Sequence, residues 1–251
     1  MKCLTQNFIV VLYFLSERER EMKMSNKKFY MVLDTETTTT ARAPFDIAYT
    51  IIDRKGNIVE QKNYLVADIF NSPLGQHILM HDDFSKNKMY KYVEMMQNGL
   101  STTYFAAIRE EMRATVKKYN CIVVAYNAKF DYECLTNFAV SLGFKNFFKD
   151  STQVWDLWNI ALSVIIDSRN YVKFCKDNAF TNEKGNLKSS AEVVYRFITK
   201  DTDFVESHTA LDDTEIEAAI MTKCLKRHKK MSTDFVGQVF RNQVWKTRCK
   251  A

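Results

Sequence analysis

Phe29-Tyr30-Met31-Val32-Leu33-Asp34-Thr35-Glu36 is the stretch whose reading decides the fold. Its apolar run, rich in strand-forming types, predicts a buried strand that ends on two carboxylates. Side chains two apart on a strand share a face, so Asp34 and Glu36 emerge together. Asp131, and then His208 with Asp213, follow from segments remote from this strand. Groups gathered from distant segments in this way normally meet at the end of a sheet.

Carboxylates that converge without a cation repel one another and raise their own pKa values, whereas divalent cations turn that cost into binding energy. All-oxygen ligation favours a hard ion, Mg²⁺ or Mn²⁺, over zinc. Two such ions, typically about 3.5 to 4 Å apart, hold both the attacking water and the departing oxygen of a phosphate ester. A histidine close by then supplies a proton acceptor.

The strings LDTETT (Leu33 to Thr38), YNAKFD (Tyr126 to Asp131) and SHTALDD (Ser207 to Asp213) resemble the three motifs of the DEDDh branch of DnaQ-like 3′ to 5′ exonucleases. The resemblance covers Lys28 to Lys226, most of the chain. It implies an α/β, ribonuclease H-like fold with a central mixed five-stranded sheet flanked by helices. It also implies two divalent cations, Mg²⁺ or Mn²⁺, and stepwise release of nucleoside monophosphates from a 3′ end. Residue by residue, Asp34, Glu36, Asp131 and Asp213 match the metal ligands and His208 the general base. On that pattern Asp34, Glu36 and Asp213 hold the first ion, Asp34 shares the second with the phosphate, and Asp131 acts through the second or its waters. Thr37, Thr38, Asn127 and Phe130 are expected against the substrate. The stretches Phe174 to Asn178 and Ala191 to Arg196 resemble phage and prophage members of the group.

Singly, each motif is weak. An Asp-x-Glu is common at strand ends, and an Asp near a helix start is ordinarily a cap or dipole partner. Their order and joint presence make the case. Residues five apart on a helix point about 140° away from each other, so His208 and Asp213 cannot both face one site from within a regular helix. Thr209-Ala210-Leu211-Asp212 has the pattern of a capping box, which starts the helix at Ala210 and leaves His208 on the preceding loop. Departures from the family pattern bear on substrate: Thr39 stands where many relatives have glycine, and Tyr126 where many have histidine. Tyr126, Phe130 and Tyr132 are aromatic candidates for base stacking or for core, Phe130 above all for core.

With 251 residues, 46% hydrophobic and 26% charged, the chain reads as one globular exonuclease domain, 25–230,. An N-terminal extension, 1–24, and a basic tail, 231–251, flank it. Phe8 to Leu15 is too short to span a bilayer and lacks a cleavage site. The run Ser16 to Glu21 can be written largely in purine codons, as a ribosome-binding site would be, so translation is expected to begin at Met22 or Met24. The formal net charge of +6 coexists with an acidic site and suits a polyanionic partner,. Lys223, Lys226, Arg227, Lys229 and Lys230 form the strongest basic cluster, continued by Arg241, Lys246, Arg248 and Lys250. Six scattered cysteines without metal-ligand spacing fit free thiols in a reducing cytoplasm,.

Phe45 to Asp53 and Ile58 to Val66 read as the next two strands, joined by a turn at Arg54 to Asn57. Leu74 to Gly99 is expected to be helical. Tyr104 to Tyr119 is an amphipathic helix leading into a strand at Cys121 to Ala125 and a helix at Ala128 to Leu142. Asp156 is read as a structural hydrogen-bonding residue rather than another ligand. The expected substrate is a single-stranded or frayed 3′ end of DNA, with a DNA polymerase as a candidate partner and no membrane. RNA trimming by the same chemistry, or a catalytically inactive nucleic-acid-binding accessory protein, are the alternative readings.

Overall fold

The computed structural model describes residues 27–39, 41–227 and 229–235. The N-terminal extension, its alternative starts and the tail residues from Arg241 onward lie outside them. Strands β1 (Phe29–Thr37), β2 (Pro44–Asp53) and β3 (Ile58–Val66) pair antiparallel in succession, as the sequence predicts. On the other side of β1 the sheet continues through β5 (Ile122–Ala125) and β6 (Val154–Asp156), both parallel. A further strand, β4 (Thr102–Thr103), pairs in parallel with β3, so the order is β4-β3-β2-β1-β5-β6. The sheet is mixed and flanked by helices as expected, but it has six strands rather than five. The additional strand is two residues at an edge, too short to carry a readable alternation.

Burial on both faces explains why β1 reads as an unbroken apolar run. Phe29, Met31 and Leu33 point into one core, shared with Phe45, Ile47, Tyr49 and the helices α4 (Phe105–Tyr119) and α5 (Ala128–Ser141). Tyr30 and Val32 point into the other, built with Ile122, Val124 and helices that follow β6. Those are α6 (Leu157–Ala161), α7 (Arg169–Asp177), α8 (Ala191–Thr199) and α9 (Ala210–Lys226). At the turn between β2 and β3 the Asp53 carboxylate accepts the amides of Lys55 and Asn57 at 2.8 and 3.0 Å. Gly56 there has φ +89°, and a Cβ would come within 2.3 Å of Thr222 on α9, so the position needs glycine on both counts,.

The single helix expected over Leu74 to Gly99 is broken. After α1 (Ala67–Phe70) come α2 (Pro73–His81), a 3-10 turn (Lys86–Lys88) and α3 (Met89–Gln97). Asp82 is the cause, because its carboxylate accepts the amides of Phe84 and Ser85, both at 3.1 Å, and so offers the backbone an alternative to the helical ladder,. Asp156 behaves as the sequence reading expects: it ends β6 fully buried and accepts the Asn159 amide at the start of α6.

Candidate active site

The alternation of β1 continues past its apolar run and distributes the polar residues at its end. Asp34 and Glu36 follow Tyr30 and Val32 onto the face covered by α9, while Thr35 follows Leu33 onto the face covered by α5,. Asp213 comes from the first turn of α9 and Asp131 from the first turn of α5, so carboxylates arrive from both sides of the strand. One ligand atom from each of Glu36, His208 and Asp213 lies within 4.8 Å of the other two. Asp131 is held separately, accepting the Thr35 hydroxyl at 2.7 Å. Asp34 feels both groups: after its burial, the charges of Asp131, Glu217, Asp213 and Glu36 act on it, in that order.

The helix bearing Asp213 starts at Ala210, as the motif predicts, but the cap is not the expected box. Thr209 makes no side-chain cap; its hydroxyl and that of Ser207 donate instead to the Asp212 carboxylate, at 2.8 and 2.5 Å. The Ala210 amide is satisfied across the molecule by Asp46 of β2, at 3.0 Å. Asp46 sits opposite Glu36 in the strand register, is fully buried, and also accepts Asn63 Nδ2 at 2.9 Å. A second tie, Thr50 to Thr214 at 2.8 Å, fixes the same helix to the same strand. Local spacing could predict where the helix starts; it could not identify a cap supplied from 164 positions away.

His208 lies on the loop before α9 with φ +53°, half-exposed. Its Nδ1 is 3.7 Å from Glu206, and the ring meets Phe84 edge-on at 6.4 Å between centroids. Burial, together with the positive charges of Lys88 and Lys91, holds its pKa below 6.5, which leaves the ring neutral and able to accept a proton at pH 7,.

The carboxyls are pushed the other way. Burial is the chief cause in each case. Glu36 rises to about 7, with the Lys88 ammonium opposing the shift and Asp46 adding to it. Asp131 rises to about 7 against the Thr35 hydrogen bond. Asp213 rises to about 8, with Glu206 and Glu36 adding to burial, and Asp34 is raised well above the usual carboxylate range. Asp213 Oδ1 is buried without a hydrogen-bonding partner. An orphaned oxygen among raised carboxyls, with mainly oxygen donors converging, fits one or more hard divalent cations.

Besides Asp46, three groups carry no motif in the sequence. Glu217 is buried one helical turn after Asp213, and its carboxylate accepts the Tyr126 amide at 3.2 Å. Its i, i+4 spacing from Asp213 was the available signal. Glu206, two residues before His208, is part-buried with its pKa raised to about 6 by burial and then by Glu192. Lys88 reaches in from the 3-10 turn, its ammonium 3.4 Å from Glu36 and 3.1 Å above the centre of the Phe84 ring. Burial lowers its pKa and the Glu36 charge opposes that.

The residues expected against the substrate have mixed surroundings. Thr38 closes the turn between β1 and β2: its amide donates to the Ala43 carbonyl at 3.0 Å and its hydroxyl accepts the Ala43 amide at 3.2 Å. Its amide is therefore already engaged, and Thr37 beside it is buried at the end of β1. Asn127 is exposed at φ +63°, at the start of α5. Phe130, expected above all in the core, belongs to neither apolar cluster; it is partly buried, with the Arg42 guanidinium 5.7 Å from its ring centre. Tyr126 and Tyr132 do pack against the two cores.

The basic cluster at Lys223, Lys226 and Arg227 lies at the C-terminal end of α9. At 1.5 Å of rise per residue that is about 20 Å along the helix from Asp213, so it does not flank the site. The cations beside the acidic cluster are Lys88 and Lys91, the latter donating to the Ser207 carbonyl at 2.6 Å.

No protein-family model matches the sequence, and no curated protein matches it. Solved structures do match in fold. E. coli exonuclease I in complex with a 5cy-dT13 oligonucleotide is similar at a TM-score of 0.52, with 15% identity, over 81% of this chain and 41% of that one. The complex with dT13 gives 0.52 and 16% over 80% and 41%, and a product-bound exonuclease I structure 0.51 and 16% over 80% and 44%. This chain spans about two fifths of the length of these neighbours. What it shares with them is the ribonuclease H-like α/β fold.

Proposed function

We propose that this chain is a metal-dependent 3′ to 5′ exonuclease that hydrolyses phosphodiester bonds at the 3′ end of DNA and releases nucleoside monophosphates. The observation that carries this reading is that Glu36, His208 and Asp213 bring ligand atoms within 4.8 Å of one another at the end of β1, with Asp34 on the same strand and the charges of Asp131 and Asp213 acting on it. The exonuclease I neighbours are complexes with dT13 oligonucleotides, which supports DNA as the substrate class.

Glu36, Asp213 and Asp34 would hold one divalent cation, and Asp34 and Asp131 would serve a second. When bound, such ions supply a water of lowered pKa and neutralise charge on the departing 3′ oxygen. The chain's own groups do the rest. His208 accepts the proton of the attacking water, and Glu206 at Nδ1 stabilises the imidazolium that results,. Thr35 fixes the orientation of Asp131. Phe130 with Arg42 above it offers an apolar face and a cation to the terminal nucleotide,.

Matched DNA and RNA oligomers, labelled in turn at the 3′ and 5′ ends and digested with Mg²⁺ or Mn²⁺, test the proposal. Early loss of the 3′ label as mononucleotide, a ladder from the 5′ label and no such products with Asp34→Ala are expected. Products retained by Asp34→Ala, or a ladder of the opposite polarity, would overturn it. Faster digestion of the RNA strand would make the enzyme an exoribonuclease.

A further inference from the structure

The segment between β3 and β4 supplies Lys88, the only charged group of that segment paired with a member of the acidic cluster among the described residues. Its ammonium lies 3.4 Å from Glu36, and its side chain is 12% exposed. The aromatic face of Phe84 covers the head group from the other side, at 3.1 Å from the ring centre. Such a group gives up hydration for an ion pair and a cation–π contact, and it keeps the pairing because both partners are held.

The holding is visible in the surrounding contacts. Asp82, just before Phe84, accepts the Thr39 amide at 2.8 Å and so ties the segment to the end of β1. Lys91, just after Lys88, donates to the Ser207 carbonyl and ties it to the loop that carries His208. Phe84 itself touches both Lys88 and His208. The lysine is therefore delivered to Glu36 by a segment anchored on both of the loops that frame the cluster.

We propose that Lys88 is the resident counter-ion of the site: in the metal-free protein its ammonium neutralises Glu36, and a divalent cation entering between Glu36 and Asp213 must displace it. This rests on the reading of that cluster as a divalent-cation site. The Lys88 ammonium lies against the Glu36 oxygen that an entering ion would bind and repels that ion, so occupancy by one costs occupancy by the other,. The same lysine keeps carboxylates from driving one another apart before loading, at the cost of weaker metal binding.

Titration of the metal-free protein with Mn²⁺ in mildly alkaline buffer, by calorimetry and without nucleic acid, reads this directly. Lys88→Met keeps the length and the contact with Phe84 but removes the charge. It should bind Mn²⁺ about tenfold or more tightly than the unaltered protein, a ratio equal to about 1.4 kcal/mol. The rise in melting temperature on adding Mn²⁺ should be larger by the same logic. Lys86→Met, which removes an exposed lysine paired with Asp83 in the same turn, should leave Mn²⁺ affinity unchanged. If Lys88 were merely structural, its loss would disorganise Glu36 and weaken Mn²⁺ binding. Equal or weaker binding by Lys88→Met overturns the proposal while leaving the exonuclease reading intact. Absence of Mn²⁺ binding in both proteins overturns the two together.

Discussion

His208 and Asn127 each carry a left-handed backbone, at φ +53° and +63°, at the loops that open onto the Asp213 and Asp131 helices. Such conformations cost on the order of 1–3 kcal/mol in residues with a Cβ, so the surrounding contacts must hold them. For His208 those contacts are Phe84 and Glu206, while burial and the charges of Lys88 and Lys91 leave the ring neutral at pH 7. His208→Ala should lower single-turnover hydrolysis by about 10² to 10⁴ while the fold persists. The rising limb of the pH–rate profile, placed below pH 6.5 in the unaltered enzyme, should vanish with it. Full turnover by this variant would remove His208 from the chemistry. Glu217 makes a different case, since its burial beside Asp131 and Asp213 raises its pKa well above the usual range. Glu217→Gln keeps an acceptor for the Tyr126 amide and deletes the charge. Its metal-free form should melt higher than the unaltered protein at alkaline pH, by thermal denaturation. An unchanged or lower melting temperature would show that Glu217 does not contribute to the repulsion.

At the scale of elements, the position of α9 decides where Asp213 stands, and Asp46 decides the position of α9. The capping-box pattern at Thr209 to Asp212 puts the stabilising acid on the helix itself; the structure puts it on β2. The two assignments have opposite consequences. Asp46→Ala strands the buried Ala210 amide and the Asn63 side chain and should cost about 1–3 kcal/mol in urea unfolding. Asp212→Ala loses the bond from the surface Ser207 hydroxyl and one from the buried Thr209 hydroxyl, which keeps Ser207 as a partner at 3.4 Å, and should cost less than Asp46→Ala,. A larger loss from Asp212→Ala would restore the local cap. The break between α2 and α3 is of the same kind. Asp82 interrupts a segment whose composition reads as one helix, and the interruption is what turns Phe84 and Lys88 toward the site.

For the whole molecule, the end of the sheet gathers buried acids while much of the remaining surface carries the positive excess. In the metal-free protein Glu36 and Asp131 titrate near 7 and Asp213 near 8. Each folded carboxyl thus holds its proton more tightly than the unfolded chain, whose values lie near 4. Between those limits the folded state binds more protons, so stability falls as pH rises. Metal-free protein should therefore be less stable at pH 8 than at pH 5.5, by at least about 1.4 kcal/mol, the equivalent of one pKa unit. Saturating Mg²⁺ or Mn²⁺ should reduce or abolish that slope by pairing the ionised forms. Chemical denaturation across this range checks it. A metal-free protein that gains stability toward pH 8 would mean that the acids do not converge as described.

The sequence by itself determined the central strand, its antiparallel neighbours and the residues that could form an acidic site. These depend on near-neighbour rules: alternation along β1 puts Asp34 and Glu36 on one face, and five-residue spacing puts His208 outside the helix of Asp213. It also placed Asp156 among structural residues, and its cap on α6 bears that out. Only the tertiary structure decided what surrounds those residues. Asp46, Lys88, Glu206 and Glu217 carry no motif, and Phe130 turned out partly buried beneath Arg42, outside both apolar clusters. The physical reason is that burial, ion pairing and capping across the sheet depend on which distant segments pack together. A local pattern fixes the face on which a side chain stands, but not the partner it meets there.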